Sequence, residues 1–293
     1  MSRVGEFFGD PEFLKKLAYL DLVAKQIFTG VRRGERKSAR RGAGTVFSDH
    51  RSYSHGDDLR YVDWNIYGRL GTLFVKEFEI EESANVLLLL DRSDSMAYGD
   101  PDKFSFAARV AAALGYIGLA HLDRVEVLPI PDGKPRIYAG KQQAPRMFNL
   151  LETVKTGGKT DLLDSVKQII STTRRRGLAI LISDLLDPRG WRPAVDLLLA
   201  RRHRVFLVHI VAPSEENPDL AGAIRLIDRE DGRKLDVRVD KRLLGIYQKS
   251  FKTFCRRVER YAMSKEIGHA RLRTDLPFDE AILSLLRRGG VVR

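Results

Sequence analysis

The chain has 293 residues, enough for one large or two modest domains with a proper core. Apolar residues make up 43% and charged residues 31%, a balance that excludes a disordered chain. The net charge of +12 favours anionic partners, whether nucleic acid, a membrane surface or an acidic protein face, and says nothing of the fold.

The opening residues lack the apolar core of a signal peptide, which leads to the expectation of a cytoplasmic protein. Residues Pro11 to Phe28 space Phe13, Leu14, Leu17, Leu20, Leu22 and Ile27 at roughly helical period. Asp10 is placed as the N-cap and Pro11 as the first helical residue. A basic run follows, with Arg32, Arg33, Arg36, Lys37, Arg40 and Arg41 against one anion. Residues 45–83 mix aromatics, aspartates and short alternations, and read as strands, turns and short helical turns.

From residue 85 the pattern becomes strand–helix alternation. Val86–Leu90 is a strand, and as the longest apolar run it falls far short of the ~20 residues that span a bilayer. An alanine-rich helix is expected over 102–122, a strand over 124–130, a returning edge strand after the turn at Pro131, and helices over 144–154 and 162–173. Strands follow at 178–183 and 205–211, with a helix at 191–201 between them. A hairpin turns at Asp231-Gly232, and a long helix runs over 240–263. A last strand begins at His269 and a closing helix spans 278–288. The single cysteine, Cys255, excludes an internal disulfide framework and a thiolate zinc cluster, and reads as a buried thiol. Strands apolar on both faces and alternating with helices imply a doubly wound α/β fold around a mostly parallel sheet. The division expected is an amino-terminal region over 1–83, with a helix, a basic segment and a β-rich part, followed by the α/β domain over 84–293.

Where the strand "VLLLL" ends, the chain reads Asp91-Arg92-Ser93-Asp94-Ser95. Ligands of open α/β sheets bind beyond the carboxyl ends of strands. Spacing of i, i+2, i+4 brings three short oxygen side chains together in one loop. These are hard donors, suited to Mg²⁺ or Mn²⁺. Thr160, in the glycine-rich "TGGKTDL", and Asp184, ending the strand "LAILIS", sit at comparable rim positions. Asp-x-Ser/Thr-x-Ser alone arises by chance in roughly one chain in ten of this length. Its specificity comes from the strand before it and the two later donors. The plain alternative is that Asp91 and the serines cap the next helix.

"LLLLDRSDSMAYG … GGKTDL … LAILISDL" resembles the von Willebrand factor A domain and its metal-ion-dependent adhesion site. The resemblance implies a Mg²⁺ (or Mn²⁺) held by Asp91, Ser93, Ser95, Thr160 and Asp184, with a partner's carboxylate as the last ligand. The preceding segment, with Arg51, Tyr53, Gly56, Asp57, Asp58, Arg60, Asp63 and Trp64 before "VKEFE", is similar to the bacterial family called domain of unknown function 58. Thr45-Val46-Phe47-Ser48 departs from it, lacking an acidic residue before the aromatic. Members of that family accompany a MoxR-type AAA+ ATPase and often Bat-like A-domain proteins. The implied role is a non-enzymatic adaptor in chaperone-like assembly or maturation.

Two other readings compete. The basic run, extended by Arg174–Arg176, Arg201, Arg202 and Arg204, suits phosphates, although no aromatics interleave with it. Asp57, Asp58 and Asp63, with His55 nearby, suit a two-metal hydrolase or, more plainly, a set of turns and caps with Arg60 paired and Trp64 buried. The histidines show no ligand spacing, and neither a complete phosphate loop nor a Gly-x-Ser-x-Gly elbow occurs.

Overall fold

The structure, a computed structural model, describes residues 11–13, 15–20, 46–79, 85–121, 124–172, 176–230 and 232–288. It separates into two compact units, residues 1–28 with 84–293, and residues 29–83. The amino-terminal helix, grouped by sequence with the basic segment, therefore belongs to the α/β unit. Its described residues, 11–13 and 15–20 (α1), bury Phe13, Leu17 and Leu20 in that unit's core. The Phe13 ring lies 5.2 Å from Phe278 and 6.3 Å from Phe148, centre to centre.

The smaller unit is a two-stranded antiparallel ribbon, β1 (Val46–Ser52) with β2 (Phe74–Glu79). Between the strands comes a short helix, α2 (Trp64–Leu70), closed by Gly71 in the left-handed conformation that glycine adopts without steric cost.

The larger unit follows the order β3 (Asn85–Asp91), α3 (Lys103–His121), β4 (Arg124–Ile130), β5 (Arg136–Ala139), α4 (Ala144–Thr153), α5 (Leu162–Thr172) and β6 (Gly177–Ser183). It continues with α6 (Arg192–Ala200), β7 (Arg204–Val211), α7 (Pro213–Glu216), β8 (Gly222–Ile227), β9 (Lys234–Val239), α8 (Lys241–Ser264), β10 (Gly268–Arg273) and α9 (Phe278–Arg288). Six strands form one sheet in the order β10-β7-β6-β3-β4-β5, parallel except for the returning edge strand β5. The expected doubly wound, mostly parallel sheet is thus present. The hairpin β8–β9 forms its own small antiparallel sheet, with Gly232 at positive φ in the turn.

The unbroken apolar run of β3 follows from its central place. Val86, Leu88 and Leu90 face a core shared with α1, α3, α4 and α9, while Leu87 and Leu89 face the other core, with α5, α6 and α8. Burial on both faces removes any need for polar alternation. Among the described residues one helix, α3, is long and apolar enough to cross a membrane, and 72% of that window is buried inside the protein. Its alanines let it lie close against the sheet. Cys255 is buried in α8, as expected.

The packing of α1 is testable. Phe13→Ala removes a buried ring from the core and is expected to cost about 3–5 kcal/mol in urea unfolding. A loss below about 1 kcal/mol would separate α1 from the core of this unit.

Candidate functional site

Asp91 ends β3 between two parallel neighbours, β4 and β6, at the carboxyl edge of the sheet. From β3 the chain winds to β4 on one side and later returns to β6 on the other. The loop after β3 therefore lies at the switch point where a crevice opens. Asp91 is fully buried. Its Oδ1 accepts from the Ser93 amide at 2.9 Å and its Oδ2 from the Ser183 hydroxyl at 2.5 Å. The Ser93 and Ser95 hydroxyls meet at 3.0 Å.

The capping alternative has a direct outcome. A short 3₁₀ turn, Asp94–Ala97, follows, and Ser93 at its start makes no side-chain capping bond. The cap of α3 is Asp102, which accepts from the Ser105 amide at 2.7 Å and the Ser105 hydroxyl at 2.7 Å. The serine hydroxyls thus hold a position that helix initiation does not require.

The Thr160 loop is laced to this first loop by backbone. The Gly157 amide donates to the Arg92 carbonyl at 2.8 Å, and the Asp94 amide to the Gly158 carbonyl at 3.0 Å. Arg92, between Asp91 and Ser93, adds side-chain bonds to the carbonyls of Pro131 (3.0 Å) and Lys155 (3.1 Å). Gly158, at φ +92°, takes a conformation that side-chain-bearing residues rarely adopt. Thr160 is buried. Its hydroxyl donates to Glu230 at 2.5 Å, a residue of the β8–β9 turn.

Asp184 follows β6 and is also buried. Its Oδ1 accepts from the Leu186 amide at 3.0 Å, and its Oδ2 accepts from the Lys103 ammonium at 2.6 Å. Leu185, between them, is held at φ +60°, an uncommon conformation for a leucine. Lys103, the first residue of α3, also donates to Glu215 at 2.5 Å, and Glu215 accepts from the Ala212 amide at 2.8 Å. Lys103, Ser183, Glu215 and Glu230 had no place in the sequence reading. Lys103 could have been noticed as a charge heading an alanine-rich helix. The other three carry no local signal.

Burial, followed by the Asp184 charge, pushes the Asp91 carboxyl up to about 7, against the downward pull of its hydrogen bonds. Burial works against the Lys103 charge, yet Asp184 and Glu215 outweigh it and raise its pKa. Three carboxyl groups share this cluster with one ammonium, and burial raises the pKa of both Asp91 and Glu215, so the negative charge left over is held against the cost of desolvation. Among the described residues no three His, Cys, Asp or Glu side chains cluster as metal ligands. A cation here would therefore rest chiefly on hydroxyls. Hard oxygen-bearing side chains and more carboxyl groups than cations fit a divalent ion of the Mg²⁺ or Mn²⁺ kind and not a soft one.

The amino-terminal motif resolves into pairs and caps. Arg51 holds Asp57 with both guanidinium nitrogens (2.6 and 2.5 Å), and Asp57 accepts from the Ser54 amide across the turn at Gly56. Asp58 caps the short turn Leu59–Tyr61 and pairs with Arg60. Asp63 caps α2 and contacts His50 and Lys76. The Arg51 bond holds Asp57 down to about 2, and the His50 bond does the same for Asp63. Each acid is thus engaged locally, the plainer of the two readings. Trp64, expected to be buried, is 59% exposed, its ring edge-on to Tyr67 at 6.1 Å. A two-turn helix beside a two-stranded ribbon has no second layer, among the described residues of this unit, to cover it. The basic residues Arg32, Arg33, Arg36, Lys37, Arg40 and Arg41 lie outside the described residues, as do Arg174 and Arg175.

Fold and site together define a doubly wound α/β protein with oxygen-bearing side chains gathered at the carboxyl rim of its sheet. The family model "Protein of unknown function DUF58" matches residues 49–254, and the chain belongs to that family. It is 30% identical over 245 residues to the uncharacterized protein Rv1480 of Mycobacterium tuberculosis, covering 80% of this chain and 76% of that protein. The same figures hold for the uncharacterized protein Mb1516 of Mycobacterium bovis. Among solved structures it is similar to the conserved hypothetical protein BatB of Bacteroides thetaiotaomicron, with TM-score 0.43 and 14% identity. That likeness covers 70% of this chain and 96% of that one.

Two measurements probe the cluster. Lys103→Met leaves Asp184 and Glu215 without their shared cation and is expected to cost about 3–5 kcal/mol by urea unfolding. A loss below about 1 kcal/mol would mean that the triad is not a structural element. Separately, Asp91 titrates near 3.8 when unfolded and near 7 when folded. The folded state holds the proton more tightly, so this group's contribution is greatest below about pH 4 and declines as pH rises to about 7. Without divalent ions, the Tm of the wild type relative to Asp91→Asn is expected to fall between pH 4 and pH 8. A constant difference would remove the account in which burial, with the neighbouring Asp184 charge, raises Asp91.

Proposed function

We propose that this chain is a non-enzymatic binding protein that holds Mg²⁺ or Mn²⁺ at Asp91, Ser93, Ser95, Thr160 and Asp184 and takes a carboxylate from a protein partner as a further ligand. One observation carries the reading: the hydroxyls of Ser93 and Ser95 stand 3.0 Å apart beside a buried carboxylate, with Asp102 capping the next helix in their place. Lys103 and the Leu186 amide occupy the Asp184 oxygens, so Asp184 acts on the ion through water, while the hydroxyls bind directly. The ion offsets the like-charge repulsion between Asp91 and Asp184, draws the proton off Asp91 and keeps an open side towards solvent. The basic surface favours an acidic partner.

The partner fitting the family resemblance is a MoxR-type AAA+ ATPase, or another A-domain protein. The chain then serves as an adaptor in chaperone-like assembly or maturation in the cytoplasm.

The test is a calorimetric titration of Mg²⁺ and Mn²⁺ into wild type and Asp91→Ala, with thermal unfolding in parallel. Binding to the wild type that is lost in the variant is the expected result. Absence of binding to the wild type, or equal binding to both, overturns the metal reading.

A further inference from the structure

The turn joining β8 to β9 reaches both loops of the site from far along the chain. Glu230 accepts from the Thr160 hydroxyl at 2.5 Å across 70 residues of sequence. The neighbouring Arg229 donates through Nη1 to the Ala97 carbonyl at 3.1 Å, in the turn that follows Ser93 and Ser95. The turn is internally braced: the Glu230 amide donates to the Asp228 carboxylate at 2.8 Å, the Gly232 amide to the Asp228 carbonyl at 3.0 Å, and the Asp228 amide to the Arg233 carbonyl at 2.9 Å. Between the hairpin and the Thr160 loop lies a groove of about 960 Å³, with Lys159, Thr160 and Pro188 on one side and Leu226, Ile227 and Leu235 on the other. Leu226, Ile227 and Leu235 are exposed at 43, 59 and 62%. A hairpin held mainly for its apolar packing would bury such residues.

A threonine hydroxyl has one proton and two lone pairs. It can give its proton to a carboxylate while a lone pair faces a cation. A carboxylate has two oxygens, so one can accept from Thr160 while the other ligates the same ion. We infer that Glu230 is an in-cis ligand of the rim site: it takes the place that the partner's carboxylate fills, and the partner must displace it. This inference rests on the metal reading above and adds to it a residue of the chain's own that competes with the partner. The hairpin then sets how readily the site accepts an external acid.

The experiment uses the full chain and Mn²⁺ as the probe, followed by calorimetry and by water-proton relaxation, which reads the number of waters on the bound ion. Wild type, Glu230→Gln, Glu230→Ala and Asp91→Ala are compared. Both Glu230 variants are expected to bind Mn²⁺ roughly tenfold more weakly than wild type. Both should show higher relaxation per bound ion, because water fills the vacated position. Acetate added to the Mn²⁺-loaded protein should reduce that relaxation at lower concentration in the variants than in the wild type. If the variants match the wild type in affinity and relaxation while Asp91→Ala binds nothing, the site stands and the role of Glu230 falls. If the wild type itself binds no Mn²⁺, both fall together. Glu230 is partly exposed at a turn, so thermal unfolding of its variants should stay close to wild type and separate ligation from folding.

Discussion

Two aspartates, Asp91 and Asp184, end adjacent parallel strands in the interior, and the rest of the larger unit's rim is arranged around keeping them there. Like charges in a poorly solvated place repel strongly and lose their hydration. The protein answers with donors from four different segments. Ser183 and the Ser93 amide serve Asp91, while Lys103 and the Leu186 amide serve Asp184. Lys103 brings Glu215 with it, and α7 is positioned so that Glu215 closes on the Ala212 amide. A single electrostatic problem thus links β3, α3, β6 and the segment after β7.

The solution divides labour between neighbouring polar residues. Helix initiation falls to Asp102 and charge compensation to Lys103, one residue apart. The Ser93 hydroxyl faces both Ser95 and the Asp91 carboxyl. Their position is fixed by the backbone, since the Arg92, Asp94, Gly157 and Gly158 main chains bond the two loops directly. A rim built this way loses little freedom when it takes up a ligand, which is the physical advantage of placing a site on strand ends and laced turns.

Much of the architecture was legible because period and run length are local properties. The all-apolar "VLLLL" signals a strand covered on both faces, and Val86 and Leu87 indeed face opposite cores. The turn at Gly232 and the long helix after Asp240 follow from equally local chemistry. Asp91, Ser93 and Ser95 come together as their spacing suggests. What escaped notice depends on the fold bringing distant segments together. Lys103 meets Asp184 across 81 residues and Thr160 meets Glu230 across 70, and neither pairing leaves a mark on the sequence near either residue. The helix α1 was assigned to the wrong unit for the same reason: its apolar stripe announces burial but not the surface that covers it. Trp64 erred the other way, because an aromatic in a short amphipathic helix suggests a core that the described part of the smaller unit does not provide.

The resident ammonium of Lys103 also bears on what kind of cation chemistry such a rim favours. A divalent ion held by several carboxylates is largely neutralised by its own protein ligands, and gains little from another anion. Here Asp184 is already shared with Lys103, and the remaining donors near Asp91 are neutral hydroxyls. An ion seated among them would keep more of its positive charge, and would bind weakly until an external or in-cis carboxylate joined it. On the proposed reading, low intrinsic affinity and strong demand for an acidic ligand follow from one cause, the placement of a lysine at the start of α3. On that reading ion and acid are mutually dependent occupants, by the reciprocity that governs any two ligands sharing a site.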